Sequence, residues 1–377
     1  MVISRRTSAN VPFLDLAPVH ADLKAAILAG IEDVIDSSAF TNGAQVRSFE
    51  AAFAEYCGAE HAVGVASGLD ALRLGLLAAG CAPGDEVIVP ANTFVATIEA
   101  VTQAGGVPVL ADVSETDYNL DVDAVEALVG ARTRFVLPVH LYGQMADMRR
   151  LRPLAVSRHL TIIEDACQAH GAARDGLRVG LAGRAAAFSF YPGKNLGAMG
   201  DAGALLTDDG RLAAVVRALR EHGQRAKYVH DFEGYTARLD TIQAVALTHK
   251  LPFLDDWNAQ RRSIALAYAS ALRGVGDLVL PPVPEGSDPV WHLYVVRTAQ
   301  PDGLAEFLRS YGIAAGRHYP QPPHRSEAYA WLGYQPGAFP VTEALAAQVL
   351  SLPIFPGMTM EQVDTVVDGI REYFGGA

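Results

Sequence analysis

The sequence predicts an α/β fold, a mostly parallel central sheet flanked by helices, with a smaller α+β unit toward the C-terminus. Three observations carry this. Short β-branched runs alternate with longer helical patterns through the first two thirds of the chain, the rhythm of crossover units. Several runs are apolar on successive residues rather than alternately, as strands buried on both faces require. At 377 residues the chain is two to three times the usual domain length, so two packed lobes are expected.

In chain order the runs are 62–66, 86–89, 107–112, 134–139, 161–164, 185–190 and 202–207. Between the first two, Ala71, Leu72, Leu74, Leu76 and Leu77 give residues 70–79 a broad apolar helical face, and a Pro83-Gly84-Asp85 turn ends it. Composition changes around 251–257 and again at 281–289, after which 291–297 reads as a strand. Near the C-terminus Thr359 precedes Gln362 at capping-box spacing, and Val363, Val366, Val367, Ile370 and Phe374 form one stripe. The expected division is therefore 1–250, including an N-terminal arm, and 251–377. No internal repeat or low-complexity segment is visible.

With 30 basic and 42 acidic side chains the net charge is −12, which disfavours nucleic acid and anionic membranes as partners. Half the residues are apolar and 19% charged, which excludes disorder and coiled coil as the main architecture. The three cysteines, Cys57, Cys81 and Cys167, form no CxxC pair, so neither a disulfide framework nor a cysteine-rich metal site is expected. The N-terminal Met1 to Asn10 carries two arginines without a following signal-peptide core, and no stretch is apolar enough to span a bilayer. A cytoplasmic protein is the expectation.

Three segments carry chemistry. Lys194 lies in a Gly-rich turn after an apolar strand, among small and apolar neighbours that would dehydrate it, lower its pKa and free the amine as nucleophile or base. An exposed loop lysine is the alternative. The turn is not a Walker phosphate loop, because Phe188 and Asn195 stand where Gly and Ser or Thr would be needed. Asp165 ends the run 161–164 at the carboxyl end of a strand, where ligands gather; it suits a protonated ring nitrogen, or a helix N-cap. Ser67-Gly68-Leu69 leads from a strand into a helix, so the Gly68 and Leu69 amides suit a phosphate, with Ser189 able to add a hydroxyl. Ordinary capping is the alternative there. A lysine nucleophile, a carboxylate for a cationic ring and a phosphate cradle together meet the needs of pyridoxal phosphate.

The motifs then resemble, in order over nearly the whole chain, the DegT/DnrJ/EryC1/StrS family of sugar aminotransferases, of the pyridoxal-phosphate-dependent transferase fold type I. They include Val11-Pro12-Phe13-Leu14, Ser67-Gly68-Leu69-Asp70, Pro90-Ala91-Asn92-Thr93-Phe94, Glu164-Asp165-Ala166-Cys167-Gln168, the segment 189–203, Gly234-Tyr235-Thr236-Ala237-Arg238 and His318-Tyr319-Pro320. The resemblance implies that Lys194 carries the cofactor as a Schiff base and moves the proton, and that Asp165 pairs with the ring nitrogen. It implies further that Gln168 lies near the ring's 3′-oxygen, that Phe94 stacks on the ring, and that Ser189 and the Gly68 and Leu69 amides hold the phosphate. His318, Tyr319 and His324 become substrate-side candidates, whereas Trp257, Trp291 and Trp331 read as core or interface anchors.

Family members are typically homodimers with shared sites, completed by an asparagine of a Gly-aromatic-Asn-x-Arg segment. Here Thr236 replaces that asparagine, and Leu69 stands where Thr is usual. The resemblance implies transfer of an amino group, from L-glutamate by preference, to a nucleotide-linked keto-deoxysugar such as a dTDP-3-keto-6-deoxyhexose, through the pyridoxamine phosphate form. Alternatives are a 4-keto-sugar or keto-cyclitol substrate and a non-catalytic cofactor-binding regulator. A sugar dehydratase of the family would carry histidine in place of Lys194.

Overall fold

The computed structural model describes residues 10–375. Seven strands form the central sheet: β1 (His61–Val65), β2 (Glu86–Pro90), β3 (Val107–Ala111), β4 (Thr133–Val136), β5 (Thr161–Asp165), β6 (Ala185–Ser189) and β7 (Gly203–Thr207). Their spatial order is β1-β7-β6-β5-β4-β2-β3. Strands β2 to β6 pair in parallel, whereas β7 runs antiparallel to both β6 and β1. Each expected run becomes one of these strands. The run at 134–139 ends as a strand at Val136, and Val139 keeps a single parallel bridge to Asp165.

The continuous apolar runs follow from burial on two sides. Along β6, Ala186 and Phe188 enter one apolar cluster while Ala185 and Ala187 enter the other, and β7 divides Ala204 and Leu206 from Leu205 likewise. Successive strand residues point to opposite faces, so a sheet covered on both needs no polar alternation.

A third cluster unites the long helix Leu254–Leu272, the antiparallel pair β8 (Tyr294–Arg297) and β9 (Val349–Leu352), and the helices Pro301–Ser310 and Met360–Gly375. Val11 belongs to this cluster, its backbone bonded to Gly312 and Ala314. The capping box forms reciprocally: the Thr359 amide donates to Gln362 Oε1 at 2.9 Å, and the Gln362 amide to Thr359 Oγ1 at 3.2 Å. The strand expected at 291–297 begins only at Tyr294, because Trp291 takes φ +49° and turns the chain first. Trp257 is buried against Leu23 and Ile27, but Trp331 is 61% exposed and anchors no core. Among the described residues no helix is long and apolar enough to cross a membrane.

Candidate active site

The carboxyl ends of β5 and β6 and the start of the helix Gly68–Ala78 converge, as ligand-binding features do in open α/β sheets. Strand β5 ends in two adjacent acids that point opposite ways. Glu164 is fully buried and accepts from the amides of Gly180, Ala182 and Gly183 and from His140 Nε2 at 2.8 Å. Burial alone would raise its pKa, but the His140 and amide hydrogen bonds outweigh it and hold the carboxyl low. Asp165 is buried too, and its carboxyl accepts from Thr97 Oγ1 at 2.8 Å and the Cys167 amide at 3.2 Å, with the Cys167 side chain also against it. No helix starts at Asp165, so it is no N-cap, and among the described residues no arginine, lysine or histidine pairs with it. A buried carboxyl at a strand end with no cationic side chain in ion-pair contact suits a protonated ring nitrogen.

Lys194 follows β6 in a turn closed by its amide donating to the Tyr191 carbonyl at 2.8 Å. It lines a cavity of about 390 Å³ together with Phe94, Arg261, His292, His318 and Tyr319. Burial lowers its pKa below the ordinary lysine value, against the opposing influence of Cys167 and Asp165. The exposed-loop alternative therefore fails.

At the other end, Ser67 caps the helix Gly68–Ala78, its Oγ accepting from the Asp70 amide at 3.0 Å. Gly68 lies so close to β6 that a Cβ on it would stand 2.6 Å from Cys167 Sγ and 2.7 Å from Ser189 Cβ. The first turn of this helix is thus packed against Ser189, a placement that suits a phosphate held by first-turn amides and a hydroxyl. Gly68→Ala should force these elements apart and weaken cofactor retention at least about tenfold, the scale of a lost charge-assisted hydrogen bond, in a fluorescence titration of cofactor-free protein. Together these groups fit pyridoxal phosphate.

Gln168 is held on both ends of its amide, Oε1 accepting from the Tyr142 amide at 2.8 Å and Nε2 donating to Tyr319 Oη at 3.2 Å. The Phe94 and Tyr319 rings approach at 5.6 Å with a 36° tilt, and Phe94 is half exposed. His318 stacks on Phe13 at 5.5 Å and contacts Ser351 Oγ at 2.9 Å. Two expectations fare differently. His324 does not line this cavity; its Nε2 meets Glu343 at 3.3 Å and its ring packs on Phe339, because the proline-rich loop folds it away. Thr236 is exposed, outside the cavity lining, its hydroxyl 3.1 Å from His222 Nε2. Arg261 and His292, by contrast, carried no sequence signal of their own, since each reaches the site only through tertiary packing.

Three histidines near Lys194 are held neutral, first by burial and then by the lysine's charge: His170 with its pKa lowered to about 3, His318 to about 4, and His292 well below 6.5. The unfolded chain takes up these protons near 6.5, whereas the folded chain resists until much lower pH. Between those limits the unfolded state binds more protons, so stability falls as pH drops from about 6.5 toward 4. Calorimetric melting temperatures across that range should decline, and His170→Phe should flatten the slope.

The family model of the DegT/DnrJ/EryC1/StrS aminotransferase family matches residues 21–371. The chain is 47% identical over 370 residues to the dTDP-3-amino-3,4,6-trideoxy-alpha-D-glucose transaminase of Streptomyces venezuelae, covering 98% of each chain. The structure of S. venezuelae DesV in complex with a ketimine intermediate superposes with a TM-score of 0.94 at 48% identity, over 97% of this chain and 98% of that one. That of NtdA from Bacillus subtilis, with bound cofactor PMP, gives 0.90 at 32% identity, over 99% and 86%. The chain belongs to the DegT/DnrJ/EryC1/StrS aminotransferase family, with its fold.

Proposed function

We propose that this protein aminates a nucleotide-linked keto-deoxysugar at C3, taking the amino group from L-glutamate. The observation that carries the reading is Lys194, its pKa depressed by burial, which lines a cavity and lies within electrostatic reach of the buried Asp165 carboxyl. A C3 keto-sugar is favoured by the transaminase relative that covers 98% of the chain.

Pyridoxal phosphate, when bound, supplies the electron sink and carries the amino group between the two substrates. The Gly68 and Leu69 amides and the Ser189 hydroxyl would hold its phosphate, Asp165 would keep its ring nitrogen protonated, and Gln168 and Phe94 would orient the ring. Lys194 would hold it covalently and, once released, its amine would take the proton from the substrate carbon and deliver it to the cofactor side. A depressed pKa gives more neutral amine at neutral pH, which is the form that accepts that proton. Tyr319 and His318 would face the substrate, beside the apolar lining residues Phe13, Leu293 and Ile354.

The reading includes a cytoplasmic homodimer, with 1–250 as the cofactor-binding unit and 251–377 as the smaller one. Exposed Thr236 is then available to the neighbouring subunit. Light scattering should give twice the 40.1 kDa chain mass. Incubation with ¹⁵N-labelled L-glutamate and a dTDP-3-keto-6-deoxyhexose should yield labelled aminosugar nucleotide by mass spectrometry; label in a 4-amino product alone, or none, contradicts the reading.

A further inference from the structure

The residue after Lys194 begins a chain of buried amides whose orientation is dictated by two backbone carbonyls. Asn258, on the helix Leu254–Leu272 and 1% exposed, has Nδ2 2.9 Å from the His170 carbonyl oxygen. A carbonyl only accepts, so that atom is the nitrogen, and Asn258 Oδ1 is the atom facing Asn195 at 2.8 Å. Asn195, 4% exposed, must present Nδ2 there, and the same Nδ2 also lies 2.9 Å from the Val290 carbonyl oxygen. Its Oδ1 is left, 3.2 Å from His292 Nδ1. An amide oxygen cannot donate, so His292 Nδ1 carries the hydrogen.

A neutral imidazole protonated on Nδ1 has a bare lone pair on Nε2. Everything around His292 keeps it neutral: burial first, then the charges of Lys194 and Arg261, with His170 and His318 adding to them. No acidic side chain lines the cavity to stabilise an imidazolium. Nε2 makes no hydrogen bond among the described residues, while His292 lines the cavity beside Lys194. Of the other polar lining groups, Lys194, Arg261, Tyr191 and Tyr319 are donors or able to donate, and His318 is the one further imidazole, its Nδ1 already 2.9 Å from Ser351 Oγ. A bare imidazole nitrogen is therefore a scarce acceptor in a donor-rich cavity.

We propose that His292 is a positioning residue whose Nε2 accepts a hydrogen bond from a hydroxyl of the keto-sugar. The inference rests on the sugar-aminotransferase reading. Glutamate is excluded as the partner because its amino group is engaged at the cofactor and its carboxylates only accept. A sugar ring offers hydroxyl hydrogens that Lys194 and Arg261 cannot satisfy. An acceptor left unpaired penalises an analogue lacking that hydroxyl, which makes His292 a specificity determinant.

Two measurements test this. The first is the histidine ring ¹⁵N spectrum of the cofactor-loaded protein at neutral pH, with the His292 signals assigned by their loss in His292→Asn. An unprotonated Nε2 and protonated Nδ1 are expected; a protonated Nε2 overturns the proposal whether or not the enzyme turns over. The second compares half-reactions in His292→Asn, whose amide nitrogen can keep the bond to Asn195 Oδ1 while Nε2 is removed. The sugar half-reaction should fall roughly tenfold more than the glutamate half-reaction, the scale of one hydrogen bond lost to a hydroxyl. Equal falls in both overturn the assignment to the sugar. Failure of the wild-type protein to react with glutamate would overturn the proposed function instead, leaving the ¹⁵N result to stand on its own.

Discussion

Lys194→Ala is expected to lower transamination at least about a thousandfold, the range lost with a positioned acid–base group, and to abolish the visible absorbance of the covalently held cofactor. The protein should remain folded. Lys194 makes no ion pair among the described residues, and burial opposes its charge, so its removal relieves a desolvated amine rather than breaking a network. The phosphate cradle at Gly68 and Ser189 is built without it, so cofactor should still bind noncovalently. Spectra, melting temperature and single-turnover rates of the variant separate these effects. Unchanged absorbance and turnover would remove Lys194 from the chemistry.

Asp165→Asn is expected to cost about a hundredfold to a thousandfold in turnover, comparable to losing one preorganised electrostatic contact at a developing charge. The amide keeps the shape but removes the anion, and one of its faces would set an NH₂ against the Thr97 hydroxyl or the Cys167 amide. Without the carboxylate, nothing in the site would favour a protonated ring nitrogen on the bound cofactor, and its capacity as an electron sink would fall. Thr97→Val should produce a smaller loss in the same direction, since it removes only one donor to the carboxylate. Stopped-flow rates of the glutamate half-reaction measure both; an Asp165→Asn rate within threefold of wild type would contradict the role.

How far these sites were legible in the sequence differs by residue. The seven sheet strands were readable because two-sided burial leaves runs of consecutive apolar residues. The reversal of β7 was not, because composition does not encode strand direction. Position alone could not tell Asp165 from a capping residue; the fold starts no helix there and sets its carboxyl beside Thr97, while Glu164 is spent on backbone amides. Lys194 was visible through its Gly-rich, apolar surroundings, but its neighbour Asn195 was not. The role of Asn195 exists only where Asn258, Val290 and His292, 63 to 97 residues away, close around it. His324 shows the opposite failure: the resemblance grouped it with His318 and Tyr319, and loop geometry separates them.

The central claim is that Lys194, Asp165 and the Gly68–Ser189 cradle form a working transamination site. The most direct measurement is the absorbance spectrum of the purified, cofactor-loaded protein before and after L-glutamate alone, with 2-oxoglutarate quantified. The account predicts loss of the covalently bound aldehyde band, appearance of the pyridoxamine phosphate spectrum, and one 2-oxoglutarate released per site. A cofactor band that persists unchanged with glutamate and every other amino donor, with no keto acid formed, would contradict it and leave a protein that binds the cofactor without using it.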